Sequence, residues 1–245
     1  MAEKNGKGGH GPRCVALVGP QGGGKTSLLE SMLWITGTIT RKGTHAQSTV
    51  GDPSAEARER MMSVEVTAAT TNYLGDHFTF IDCPGSIEFQ QETLNALSGV
   101  DAAVVVTDPD PSKVALLQPL LKRLSDLGVP HFLYVNKIDK AQGQIRDLLA
   151  ALQPVSARPL VLRQVPIWKD GIVSGFVDLA LERAFVYREH AASEVVAIPS
   201  DMTDREHEAR YQMLEKLADY DDHLMEELLS DIEPPRDEVF NDLSR

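Results

Sequence analysis

The run GPQGGGKT, from Gly19 to Thr26, limits what this chain can fold into more than any other eight residues. It matches GxxxxGK[ST] and follows the apolar stretch CVALV that begins at Cys14. It leads into KTSLLESMLWI, where Leu28, Leu29, Met32, Leu33 and Ile35 fit a helix packed on a sheet. Strand, glycine loop and helix in that order make an anion cradle, because successive backbone N–H groups and the positive end of the helix dipole face one point. Three consecutive glycines keep Cβ atoms out of a loop that must wrap closely around phosphate. Gly19, Gly22, Gly23, Gly24, Lys25, Thr26 and Ser27 are therefore the candidate phosphate-binding residues. Lys25 can reach β- and γ-phosphates, and the Thr26 hydroxyl is a candidate Mg²⁺ ligand.

Further strands are legible downstream. SVEVTAATTNYLGDHFTFID reads as an antiparallel hairpin turning at Gly75-Asp76, and DAAVVVT as a strand covered on both faces. A helical run from Ser112 to Leu127 leads through Gly128-Val129-Pro130 to the strand HFLYV. Gly37 to Arg60 is polar and aperiodic, and is expected to be a long connection that is mobile or orders around a ligand. Alternating strands and helices with an edge hairpin predict an α/β P-loop three-layer sandwich with a mixed, mostly parallel sheet. After Lys140 the pattern changes. Ala141 to Leu152 can form a helix, RPLVLRQVPI and GIVSGFVDLALERAFVY read as meander strands, and Asp204 to Ile232 as one or two acidic helices. Met213, Leu214, Leu217, Leu224, Leu228 and Ile232 supply the apolar stripe of those helices. The expected organisation is a tail over 1–12, a P-loop domain over 13–153 and an α+β subdomain over 154–245.

Two further motifs fall at strand ends. In DCPG, the Asp82 carboxylate can bind Mg²⁺ and the Gly85 N–H can meet a γ-phosphate. In NKID, the Asp139 carboxylate can accept from both N1–H and the 2-amino group of guanine, a donor pair that adenine lacks. Lys137 can lay its stem over the base plane, and Asn136 can brace the loops. Three motifs in order on three strand ends point to a guanine nucleotide, GTP or GDP, with Mg²⁺.

Composition removes other classes. Residues 201–245 hold fifteen Asp and Glu against five Lys and Arg, a net of −10 out of −12 for the chain, which argues against broad nucleic-acid backbone binding. No sequence-specific DNA binding is expected. Cys14 and Cys83 read as core thiols, and there is no clustered Cys or His set of the metallochaperone kind. The N-terminus lacks an apolar leader segment, and no run reaches membrane-spanning length, so a cytoplasmic protein without a membrane partner is expected.

The segments VGPQGGGKTSLLESMLWITGTI, ERMMSVEVTAATTNY, FTFIDCPGSIEFQQETLNAL and YVNKIDK together resemble the translational GTPases, among them elongation factor G and the elongation factor G-like proteins. The resemblance covers nearly the whole chain beyond the tail. VSARPLVLRQVPI through DIEPPRDEVF looks like the subdomain such factors carry after the base loop. The resemblance implies that Ser63 takes the place of the switch I threonine as a metal ligand, beside Thr26 and Asp82. It implies GTP hydrolysis in a ribosome-linked step, with Lys25, Gly85 and Ser86 as the catalytic positions. It also suggests a ribosomal stalk protein as partner of the acidic subdomain. A last Ser-Ala loop around the guanine would follow that subdomain, and the chain is expected to stop short of it as a fragment.

Three positions depart from the family pattern. Gly22 stands where an Asp is usual, Met61 where a Gly is usual, and Ser86 where a histidine normally positions the attacking water. Serine cannot carry a proton near neutral pH. This leaves an alternative: a nucleotide-dependent binding and switch module with negligible hydrolysis. His45 and His77 read as surface or packing residues rather than substitutes. Arg41, Arg58 and Arg60 border switch I, and each reads as a solvated side chain. Trp34 is expected to pack.

Overall fold

Phe78 and Phe80 alternate along Asp76–Asp82, Ala69 and Thr71 are the alternately buried positions of Thr67–Tyr73, and Leu74 and Gly75 close the hairpin between the two strands with φ of 52° and 90°. Two consecutive left-handed residues give the turn whose twist matches that of the flanking strands. In the computed structural model the described residues are 13–44, 48–141, 145–188 and 191–243. Contacts divide the chain into two compact units, Met1–Ile138 and Asp139–Arg245. The boundary expected from sequence, at 153/154, lies beyond helix Ile145–Leu152, whereas the division by contacts precedes it.

The first unit is built on β1 (Arg13–Val18), α1 (Lys25–Ile35), α2 (Ala55–Arg60), β2 (Thr67–Tyr73), β3 (Asp76–Asp82), α3 (Gln90–Leu97), β4 (Ala102–Thr107), α4 (Val114–Asp126) and β5 (His131–Val135). Its five-stranded sheet has the order β2-β3-β1-β4-β5, with only the β2–β3 pair antiparallel. Leu17 of β1 pairs with Asp82 on one side and with Val104 on the other, while Thr107 of β4 pairs with Val135. The carboxyl ends of β1, β3, β4 and β5 thus lie along one edge, where open α/β sheets bind ligands. Leu29 and Leu33 of α1 bury against Leu17 and Ala69, with Phe80 and Val104 beside them. Leu117, Leu121 and Leu124 form the buried stripe of α4 at helical spacing.

The second unit holds α5 (Ile145–Leu152) and an antiparallel meander of β6 (Gln164–Lys169), β7 (Ile172–Asp178), β8 (Arg183–Val186) and β9 (Glu194–Val196). Three helices follow: α6 (Thr203–Ala218), α7 (Asp222–Leu229) and α8 (Arg236–Leu243). Val165, Ile167, Val177 and Leu179 make one core with Met213, Leu214, Leu217, Leu224 and Val239.

Several local expectations change. Residues 63–66 do not join the hairpin, and 158–163 precede β6 rather than extending it. The long polar connection contains α2, because Ser54 caps AEARER by accepting from the Ala57 N–H. His45 lies outside the described residues. Ile35, at 70 % exposure, sits off the core-facing stripe of α1, and Ile232, at 53 %, lies beyond the end of α7. Trp34 is partly exposed and carries the Lys42 ammonium over its ring, 4.9 Å from the centroid. Among the described residues no helix is long and apolar enough to cross a membrane.

Candidate nucleotide-binding site

The glycine loop leaves the buried end of β1 and turns at Gly24, the N-cap of α1, with φ of 96°. The left-handed φ favours glycine there, and a Cβ would also displace the Asn136 side-chain amide that packs against it. That amide donates to the Gly23 carbonyl at 2.9 Å, and the Asn136 backbone N–H donates to Thr107 O at 2.8 Å. The end of β5 is thereby tied to the glycine loop. Lys137, with φ of 54°, donates to Gly22 O and pairs with Asp108 at 3.1 Å. Asp108 also holds Lys113. Burial pushes the Asp108 carboxyl up, but the two lysines outweigh it and hold it below the usual carboxylate range. Gly22 has open space where a Cβ would project, but its φ of 74° lies in the left-handed region that an L side chain adopts only at a cost.

Lys25 and Thr26 open α1 with exposures of only 5 % and 6 %. The Lys25 ammonium donates to Gly19 O at 2.9 Å and to Pro20 O at 3.1 Å. Burial draws its pKa below the ordinary lysine value, against the opposing pull of Asp82, Cys83 and Asp52. Ser27 is exposed on the same turn, and its carbonyl accepts from Ser31.

Thr26 Oγ1 donates to Asp82 Oδ2 at 2.7 Å and lies 3.3 Å from Ser63 Oγ. The three residues expected to share an ion are therefore adjacent. Asp82 is 1 % exposed, and its Oδ1 is buried without a hydrogen-bond partner. Burial pushes its carboxyl up to about 6, although the Thr26 bond and Lys25 pull the other way. Asp52, which the sequence reading passed over, is 6 % exposed and likewise has a buried, unpartnered Oδ1. Its neighbour Gly51 packs so close that a Cβ would come within 2.8 Å of Thr26 Cγ2. Hydroxyl and carboxylate oxygens, two of them lacking a donor, are a donor set that suits a hard cation such as Mg²⁺.

The DCPG turn lies against the glycine loop. A Cβ at Gly85 would sit 2.6 Å from the Gln21 backbone nitrogen and 2.7 Å from the Pro20 carbonyl carbon, so only glycine fits. Thr93 of α3 donates to Pro84 O at 3.1 Å, and burial of the adjacent Cys83 thiol pushes its pKa up to about 12. Ser86 is half-buried with extended φ and ψ of −76° and 143°, and it makes no side-chain cap bond to the helical turn Ile87–Phe89. His77 sits near the opposite end of β3, bonded to Asn72, about 17 Å along the strand from Asp82 at the usual rise per residue. Arg58 donates to Pro53 O, and Arg60 pairs with Glu56 within α2. Asp139 is exposed in the short helical turn Ile138–Lys140.

A second residue passed over in the sequence is Glu30, 2 % exposed on α1. Its two carboxylate oxygens accept from Gly43 N at 2.7 Å and Val50 N at 2.5 Å. The loop that carries Asp52 is thus pinned to the helix that carries Thr26. A polar residue on the core side of a helix stripe was the available signal for Glu30. For Asp108 it was an acid at the end of an apolar strand. Asp52 had no signal, since one acid in an aperiodic loop looks like any other.

Comparison with known proteins agrees with this geometry. Residues 11–224 match the family described as the elongation factor Tu GTP-binding domain. The chain is 47 % identical over 234 residues to an elongation factor G-like protein of Synechocystis sp., covering 95 % of this chain and 35 % of that one. A crystal structure of a Thermus thermophilus protein superposes with a TM-score of 0.85 at 28 % identity, over 94 % of this chain and 34 % of that one. The chain therefore spans about a third of the length of these relatives. With a glycine loop, a DCPG turn and an NK loop gathered at one sheet edge, the chain belongs to the translational GTPases, as a GTP-binding domain of the elongation factor Tu type and the elongation factor G-like kind.

Proposed function

We propose that the chain binds GTP or GDP with Mg²⁺ and, within a longer elongation factor G-like protein, hydrolyses GTP to GDP and phosphate in a ribosome-linked step. The observation that carries this reading is the Thr26–Asp82–Ser63 group, bonded at 2.7 and 3.3 Å, with a sealed and unpartnered Asp82 oxygen. Such an oxygen is costly unless a cation meets it. Bound Mg²⁺ would supply positive charge that draws electron density from the phosphate oxygens. Thr26, Ser63 and Asp82 would hold it.

The glycine loop would orient the α- and β-phosphates through the N–H groups of Gly22, Gly23, Gly24, Lys25, Thr26 and Ser27, with Gly19 opening the turn. Lys25 would exchange its carbonyl partners for β- and γ-oxygens, and the Gly85 N–H would meet the γ-phosphate. Asn136 keeps the loops in register, Lys137 covers the base plane, and Asp139 selects guanine by accepting from its N1–H and 2-amino group. Water oxygen then attacks the γ-phosphorus in line as the bond to the β,γ-bridging oxygen breaks, and its protons pass to phosphate and solvent. Loss of phosphate releases residues 38–65 and 82–92.

Ser86 favours a second reading, a GTP-dependent binding and switch module with negligible turnover. Its hydroxyl has no cap bond and cannot act as a base at neutral pH. We further propose that the acidic helices α6 and α7 dock a ribosomal stalk protein. The recess between them, lined by Tyr211, Met225, Leu228 and Leu229, supports this.

The test is phosphate release by the longer protein with and without ribosomes, for the natural sequence and for Ser86→His. Ribosome stimulation of the natural sequence supports hydrolysis. Tight GTP binding with no stimulation, and turnover gained in Ser86→His, selects the switch module. Failure of this chain to bind GTP more tightly than ATP overturns both. Loss of stimulation in Leu229→Asp, with GTP affinity retained, tests the stalk contact.

A further inference from the structure

Among the described residues, the only group of three or more His, Cys, Asp or Glu side chains close enough to share a metal ion lies in the second unit, at His223, Glu227 and Glu238. We infer that these three side chains form a site for a divalent ion of the zinc class, joining α7 to α8.

The arrangement follows from how the two helices begin. Asp221 caps α7, its carboxylate accepting from the N–H groups of His223 at 2.9 Å and Leu224 at 3.3 Å. That cap fixes the first turn. His223 and Glu227, four residues apart, then project from one face, while Leu224 is fully buried on another. Pro235 opens α8 by accepting at its carbonyl from Glu238 N at 3.0 Å and Val239 N at 3.2 Å. Val239 is fully buried, so the residue before it, Glu238, is held at the surface beside His223. Both helices are anchored in the core by the neighbour of a candidate ligand.

The distances suit one ion. His223 Nδ1 lies 2.8 Å from Glu238 Oε1 and 4.0 Å from Glu227 Oε1, and one donor atom from each residue falls within 4.8 Å of both others. Metal–ligand bonds of about 2.0–2.2 Å place neighbouring donor atoms roughly 3–3.5 Å apart, so modest side-chain rotations close the set. A simple ion pair of His223 with Glu238 accounts for the 2.8 Å contact. It leaves Glu227 Oε1 4.0 Å from the same nitrogen, beyond hydrogen-bonding reach, and Glu227 Oε2 buried with no hydrogen-bond partner. A shared cation accounts for both.

Ligand chemistry selects the class. One neutral imidazole and two carboxylates balance a divalent charge, and the nitrogen favours zinc, cobalt or nickel over Mg²⁺ or Ca²⁺, which prefer oxygen alone. The His223 side chain is 67 % exposed, so water completes the coordination. The oxygen-only set at Thr26, Ser63 and Asp82 belongs to the other unit and has the opposite preference.

Untagged full-length chain, stripped by chelator and then saturated with Mg²⁺ and GDP, is dialysed against micromolar zinc chloride, and bound metal is counted by mass spectrometry. The site predicts one zinc per chain, not displaced by excess Mg²⁺, and a cobalt derivative with visible ligand-field bands. His223→Ala and Glu238→Gln should each lose at least about ten-fold in zinc affinity while GDP affinity is kept. Zinc should raise the melting temperature of the natural chain but of neither variant. Because His223 is a surface side chain, an unchanged metal-free melting temperature verifies that the variants fold. No zinc uptake by the natural chain, or equal uptake by both variants, overturns the assignment.

Discussion

Thr26 is a single hydroxyl serving two neighbours, donating to the buried Asp82 and lying within hydrogen-bond range of the half-buried Ser63. Thr26→Ala leaves the Asp82 carboxylate without that donor in a site where its other oxygen already lacks one. The expected loss is about 1–3 kcal/mol of stability in urea unfolding, with Thr26→Ser near the natural value. Equal losses in the two variants would show that the methyl group, not the hydroxyl, matters. Met61 poses the reverse problem. It ends α2 in the left-handed region with φ of 53°, a backbone conformation that glycine adopts most readily. An unbranched side chain tolerates this conformation at a cost that glycine avoids, partly offset by glycine's greater chain entropy. Met61→Gly should stabilise the first unit by about 0.5 kcal/mol, read as a higher urea midpoint, and a lower midpoint would refute the strain argument.

At the scale of elements, the glycine loop and the end of β5 act as one piece because Asn136 bonds to Gly23 O and, through its backbone, to Thr107 O. Asn136→Ala removes the first of these bonds and leaves a loop carbonyl short of its donor. The expected result is a GDP affinity lowered roughly ten-fold through faster release, the equivalent of about 1.4 kcal/mol. An unchanged dissociation rate in stopped flow would mean that Asn136 is only a neighbour. The elements behind this contact were legible in the sequence because each motif follows an apolar run and thus marks a strand end. The edge hairpin was legible too, although its turn falls at Leu74-Gly75, one residue before the expected Gly75-Asp76, and Asp76 pairs with Tyr73 as the first residue of β3. What stayed hidden depends on contacts remote in sequence. Glu30 pins Gly43 and Val50, Asp52 comes near Asp82, and Asp108 holds Lys137, and none of these pairings leaves a local period. β9 and α8 were missed for a different reason: a three-residue strand and an eight-residue acidic helix carry too little periodicity to stand out from loop.

Across the whole molecule, the net charge of −12 is concentrated in the second unit, and its carboxylates do not respond to pH alike. Glu208 is held below the ordinary glutamate value by its bond to Arg146, so its contribution is present at neutral pH and lost in acid. Glu206, in the first turn of α6, behaves oppositely. It is 4 % exposed, and its Oε1 is buried with no partner. Burial raises its pKa against the attraction of His207 and Arg210, and the Arg210 guanidinium is engaged with Leu179 O at 2.6 Å. A carboxyl whose pKa is higher folded than unfolded binds its proton more tightly in the native state. Its contribution is therefore complete below the unfolded pKa and lost as pH rises through the folded one. Glu206→Gln cannot ionise and removes that dependence while leaving every other carboxylate in place. Urea midpoints of the natural chain and the variant, taken from neutral pH down into the carboxylate range, isolate the effect. The natural chain should gain on the variant as the pH falls, because protonation relieves a buried charge that the amide never carried. A difference that stays constant with pH would mean that Glu206 titrates as it does in the unfolded chain. A difference that moves the other way would mean that Arg210 and His207, rather than burial, set its charge.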